Sequence, residues 1–141
     1  LHPMTMLQRG FTLVELMVVA VIVAILAAVA VPLMEVNRKR AMVTEAEAGL
    51  GTIRNAWRAM YAETRDYTKS SNGSEIQPGP ALVIPGIGPV DLEGQFFKSD
   101  NYEIVAVSPD SFLLRCSGTT GAVAGIVVTL DQNGNFSRSG L

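Results

Sequence analysis

From Leu16 to Met34 the chain reads LMVVAVIVAILAAVAVPLM, 19 consecutive residues without a charge. As a helix this block is roughly 28 Å long at ~1.5 Å per residue, close to the ~30 Å hydrocarbon core of a bilayer. Branched and small apolar side chains cover every side of such a helix, so no polar face remains for water. Burying it in a soluble protein would need a large domain wrapped around it, and a chain of 141 residues leaves too little to build one. A membrane helix is therefore the expectation. The block is longer than the ~7–15 residues of an ordinary secretory h-region. Ala28-Val29-Ala30 does fit the A-x-A cleavage pattern, but it lies inside the run, and helix-forming sequence continues after it.

Composition removes several function classes. Hydrophobic residues make up 48% of the chain and charged residues 17%, which is too apolar for intrinsic disorder. The formal net charge of −2 argues against nucleic-acid binding through bulk positive charge. A single cysteine, Cys116, excludes an internal disulfide framework and a Cys-rich zinc module. A single histidine, His2, leaves none for a Ser-His-Asp triad or an H-E-x-x-H helix. No Gly-rich phosphate loop precedes a helix. The chain is therefore expected to be no enzyme, with no catalytic residues, no metal and no cofactor.

One acid interrupts this picture. Glu15 is the only charge between Gly10 and Met34. A carboxylate one turn into an apolar helix is costly unless it is paired or reaches water. As an isolated anchor, Glu15 would sit at headgroup level. The other possibility is a positive partner brought from elsewhere.

Arg9-Gly10-Phe11-Thr12-Leu13-Val14-Glu15-Leu16, followed by the apolar run, resembles the prepilin leader junction of the type IV pilins and of the pseudopilins of type II secretion. The resemblance covers residues 8–38. It implies a leader over residues 1–10, removed between Gly10 and Phe11 by a membrane prepilin peptidase that also N-methylates the new Phe11 amine. It further implies assembly into a helical homo-oligomeric filament by an inner-membrane platform and a cytoplasmic ATPase. In a staggered bundle, the cationic amine of an incoming Phe11 can approach the Glu15 carboxylate of a subunit already in place. Low dielectric strengthens that attraction while desolvation opposes it. The net gain is register, because a subunit displaced along the axis leaves two unpaired charges in an apolar core. Thr12 is either a helix cap or a direct participant in assembly. Gly10 reads as a residue before a helix or as a peptide bond that a peptidase can approach closely.

Flanking charge conflicts with the resemblance over orientation. Arg9 precedes the apolar block and Arg38-Lys39-Arg40 follows it, a bias that would put the C-terminal side in the cytoplasm. The resemblance implies the reverse: N-terminus cytoplasmic, head periplasmic, filament outside the cell. On that reading Glu35, Glu45 and Glu47 are expected to offset the basic triplet.

Pro32 should bend a helix that continues through it, and by resemblance the helix can open there when subunits pack. The helix is expected to reach about Asp66. Over 56 residues from Phe11 it would be a rod of roughly 84 Å, longer than a small head can bury, which argues for assembly independently of any motif. Val43, Ala46, Leu50, Ile53, Trp57, Met60 and Tyr61 recur at helical spacing and define the packing stripe. Leu50, Ile53, Trp57, Met60 and Tyr61 are the helix–sheet contacts expected, while Gly49 and Gly51 permit close approach.

Residues 67–94 are rich in Ser, Gly and Pro and read as a loop; in pilins this connector varies and faces outward. A meander over 95–141 is expected, with strands at Tyr102–Val107, Ser111–Cys116, Ala122–Leu130 and Asn135–Arg138. The fold class is thus α+β: a long N-terminal helix whose C-terminal half packs on a small antiparallel sheet. Residues 11–34 form the membrane or filament-core segment and 35–141 the head. Cys116 lacks the partner that many pilins use to close a C-terminal loop, and it reads as a small core residue. Asp131-Gln132-Asn133-Gly134-Asn135 is a faint calcium-loop resemblance that reads better as a turn. The expected function is a pilus subunit, with a type II secretion pseudopilin as the alternative. A membrane-tethered enzyme has no support, and a DNA-binding minor pilin would need a basic patch that the sequence does not locate.

Overall fold

The computed structural model describes residues 9–141; the first eight residues of the expected leader lie outside it. A single helix, α1, covers Leu13–Thr64. It runs through Pro32 without interruption, although Pro32 has no N–H to offer the Ala28 carbonyl. The chain divides into two compact units, residues 1–37 and 38–141.

In the second unit, Met42, Val43, Ala46, Leu50, Ile53, Trp57 and Met60 are the buried residues of α1. Their spacing of three and four puts them on one face. Tyr61 is only half-buried and stacks on Tyr67 at 4.2 Å between ring centroids, so it lies at the margin of the stripe and not at its centre. The helix stops at Thr64, two residues before the expected Asp66, because Arg65 takes a left-handed conformation (φ 59°). The Arg65 N–H still reaches the Tyr61 carbonyl at 2.8 Å, which satisfies one of the last carbonyls.

The sheet has five antiparallel strands in chain order: β1 (Gly79–Pro80), β2 (Tyr102–Ser108), β3 (Ser111–Ser117), β4 (Val127–Asp131) and β5 (Phe136–Ser139). Alternation sets the buried face. Phe112, Leu114 and Cys116 of β3 point inward opposite Tyr102 and Ile104 of β2 and Val128 and Leu130 of β4. A bulge between Ile104 and Ala106 shifts the register of β2. On the exposed face Arg115 Nη2 pairs with Glu103 Oε1 at 2.6 Å.

Three expectations need correction. The strand expected from Ala122 begins only at Val127; Gly121–Val123 form a 3-10 turn, and Gly125 (φ 84°) turns the chain into β4. The loop over 67–94 contributes β1, which pairs with Ile104 and Glu103. That loop does not simply face outward, since Ile76, Ala81, Ile84 and Leu92 enter the core. Proline and glycine mark turns by local preference, yet Pro80 is tolerated here because β1 is an edge strand.

Close approach falls at one of the two helix glycines. A Cβ on Gly49 would run into the Tyr102 ring, whereas one on Gly51 would meet nothing. Trp57 joins helix to sheet, stacking on Phe112 at 4.4 Å and meeting Tyr67 edge-on at 5.8 Å. Its indole N–H donates to the Tyr67 carbonyl at 3.1 Å. A buried Trp needs such an acceptor.

Candidate assembly segment

The N-terminal segment is exposed throughout: every residue from Gly10 to Asn37 is open. Leu13, Leu16, Ile22, Ile25 and Leu26 are each at least half exposed despite their chemistry. Within α1 an 18-residue window has the length and apolarity to cross a membrane and none of it is buried. Contiguous apolar surface on this scale requires a covering by lipid or protein.

At its tip the first turn is closed by a reciprocal pair. The Thr12 backbone N–H donates to Glu15 Oε2 at 2.8 Å, and the Glu15 N–H donates to Thr12 Oγ1 at 3.2 Å. This is a capping box, with Thr12 at the cap and Glu15 three residues on. The Glu15 charge also lies in the first turn, where the helix dipole favours an anion. The Thr-x-x-Glu spacing was present in the sequence; the expectation for Thr12 covered its half of the arrangement and missed the return bond from Glu15. Phe11 stands just before the box, 84% exposed. A Cβ at Gly10 would meet nothing, so no contact within the described residues requires a glycine there.

The other expected residues lie apart from this tip. Leu50, Ile53, Trp57 and Met60 belong to the head core, with Tyr61 at its edge. Pro32 sits within the exposed segment. Cys116 is buried opposite Tyr102, and burial pushes its thiol up to about 12, which makes it a packing residue and no nucleophile. Asp131 Oδ1 accepts from the Asn133 and Asn135 N–H groups at 3.0 and 2.9 Å, so this carboxylate organises the turn into β5.

Two acids differ from expectation. Glu45 accepts backbone N–H groups from Gln95, Phe96 and Phe97 at 3.0, 2.9 and 2.7 Å, pinning the chain before β2 onto α1. Gly94 leaves the room for that carboxyl. Glu47 pairs with Arg138 of β5. Among the described residues neither forms an ion pair with Arg38, Lys39 or Arg40. Nothing local in the sequence announces these partners, since they lie about fifty and ninety residues away.

Comparison with known proteins agrees with the tip. Residues 5–31 match the family described as "Prokaryotic N-terminal methylation motif". A fimbrial protein of Pseudomonas aeruginosa is 29% identical over 129 residues, covering 89% of this chain and 79% of that protein. The type IV major pilin protein PilE1 of Neisseria gonorrhoeae is 37% identical over 100 residues, covering 71% of this chain and 51% of PilE1. Among solved structures, the non-core minor pilin PilV of Neisseria meningitidis aligns with a TM-score of 0.45 at 20% identity, over 77% of this chain and 89% of that one. The relatives are structural pilins, not enzymes.

Proposed function

We propose that this relative of the type IV pilins, bearing the N-terminal methylation motif, is a filament-forming subunit that prepilin peptidase cleaves between Gly10 and Phe11. Hydrolysis of that amide leaves a carboxylate on Gly10 and a cationic amine on Phe11, which N-methylation keeps cationic. Before assembly the apolar segment spans the inner membrane, with its N-terminus cytoplasmic and the head on the far side. In the filament, copies of the same segment replace lipid around one another.

The observation that carries this reading is the wholly exposed apolar stretch of α1 with one carboxylate at its tip. In the free chain Glu15 Oε2 holds the Thr12 N–H. A carboxylate has room for further donors, so the Phe11 amine of a neighbour can join without unmaking the cap. A misregistered subunit would strand both charges in an apolar core, where neither has water. Pro32 supplies the point at which α1 can open when subunits pack, because the Ala28 carbonyl has no helical donor there. The matched relatives are pilus subunits, which favours a pilus over a secretion pseudopilus.

The test is Glu15→Ala in cells. The variant should insert and be cleaved normally, yet yield far fewer shear-released filaments than wild type. Unchanged filament number and length would sink the pairing. Gly10→Glu should leave the full-size precursor, and a mature-size band from that variant would contradict cleavage at this bond.

A further inference from the structure

Arg40, Val43, Thr44 and Glu47 recur at three- and four-residue spacing along α1 and line one wall of an open cleft of ≈ 330 Å³; Arg138 and Leu141 line the other. Arg138 is held in place by Glu47 through Nε, and its guanidinium lies over the Phe136 ring at 5.9 Å. That arrangement leaves the two terminal amino groups, which carry four of the five guanidinium donors. Arg38 and Lys39 precede Arg40 and are exposed. Among the described residues, the salt bridges belong to Lys69, Lys98, Arg115 and Arg138, and none involves Arg38, Lys39 or Arg40. Of the acids that could have neutralised the triplet, Glu45 holds the amides of Gln95 to Phe97, and Glu47, in the cleft wall itself, pairs with Arg138. Glu35 makes no ion pair with it.

Position along the chain identifies the occupant. Arg40 follows Met34, the last residue of the apolar run, by six residues. Six residues span roughly 9 Å as helix and at most about 20 Å fully extended, so the cleft is tethered at headgroup distance from any bilayer that holds the run. Val43 and Leu141 give the cleft apolar contacts, and with Glu47 occupied by Arg138 Nε, Arg40 and the free amino groups of Arg138 suit a phosphodiester, which guanidinium binds in a forked, directional way.

We propose that the Arg40–Arg138 cleft binds the phosphodiester headgroup of an anionic glycerophospholipid in the membrane that holds the unassembled subunit, with Arg38 and Lys39 adding positive charge from other faces of the same helical turn. This rests on the membrane reading of Leu16–Met34. The contact also accounts for a basic triplet on the exported side of a membrane segment, where flanking charge alone would favour the opposite orientation. It must be released on extraction into a filament, so anionic lipid holds subunits in reserve.

The experiment takes the full chain in mild detergent with equal phosphatidylglycerol and phosphatidylcholine, and counts retained lipid by native mass spectrometry. Wild type should retain phosphatidylglycerol preferentially. Arg40→Gln with Arg138→Gln should lower that retention about tenfold, while Arg58→Gln with Arg65→Gln, exposed arginines outside the cleft, should leave it unchanged. Arg38→Gln with Lys39→Gln keeps the Glu47–Arg138 pair and should give a smaller loss, which guards against misfolding of the first variant. Equal retention by all variants would overturn the proposal. So would displacement of the lipid by millimolar inorganic phosphate, which would make a free anion the ligand. Variants that keep their lipid but lose filaments would assign the cleft to an acidic face of a neighbouring subunit instead. Flotation with pure phosphatidylcholine vesicles separates the underlying premise: wild type and variants should float alike, and a wild type that stays unbound would remove the membrane reading itself.

Discussion

Leu16–Met34 and Met42–Met60 are stretches of the same helix with opposite fates. The second has an apolar stripe and polar flanks, and the stripe is covered by Tyr102, Ile104, Phe112, Leu114 and the rest of the head core. The first is apolar on all sides and exposed along its length among the described residues. Backbone geometry is shared, so the difference lies in the side chains. A stripe can be satisfied by one sheet, whereas a cylinder needs a surround. One stretch is completed by folding and the other only by lipid or protein from outside it.

The contrast makes each stretch separately breakable. Trp57→Ala should have the largest effect, about 3–5 kcal/mol of head stability, because it removes the Phe112 and Tyr67 contacts and leaves the Tyr67 carbonyl without its donor. Urea unfolding of the detergent-solubilised chain would measure it, and a loss under ~1 kcal/mol would mean the head core is centred elsewhere. Val23→Asp should do the converse. It should weaken membrane insertion by about 2.5–3.5 kcal/mol and leave the head's unfolding midpoint untouched. A shift in that midpoint would show that the two stretches are not independent.

Glu45→Ala should cost about 1–3 kcal/mol, since the N–H groups of Gln95, Phe96 and Phe97 lose their acceptor. Hydrogen exchange should rise at those three amides first, and uniform protection there would refute the pinning role. Thr12→Ala should destabilise only the first turn of α1, by about 1 kcal/mol, seen as faster exchange near Glu15 with no change in the head. The smallest effect concerns Asp131. Hydrogen bonds from Asn135, backbone first and side chain next, hold its carboxyl below the ordinary value of 3.8. A lowered folded value means the contribution is present above 3.8 and disappears as pH falls through that lower value. A pH titration of the Asn133 and Asn135 amide shifts should therefore have its midpoint below 3.8, and a midpoint at or above it would remove the role given to this carboxylate.

Much of the fold is legible from local pattern. The stripe Val43 to Met60 follows from 3.6-residue periodicity, and β2 and β3 follow from alternating β-formers around Ser108-Pro109-Asp110-Ser111. Less legible were features that local preference points against. Pro80 in a strand is acceptable only because that strand is an edge, and the apolar residues between Gly121 and Ile126 read as continuous with β4 although Gly125 turns the chain. At the tip, Thr12 and Glu15 are three residues apart, and both halves of their cap could be read from that spacing. Tyr61 shares the helical period but lies one position round from Met60, at the margin of the stripe, where its ring stacks on Tyr67.

Sequence alone, then, dictated the apolar cylinder, its lone acid, the junction before it and the alternating strands, since each is a property of neighbours along the chain. Tertiary structure alone decided that Glu45 holds the chain before β2, that Glu47 holds Arg138, that Gly49 rather than Gly51 makes room for Tyr102, and that no ion pair among the described residues reaches Arg38, Lys39 or Arg40. Those pairings join residues brought together only by closure of the sheet onto the helix, and no local preference encodes which distant group will arrive.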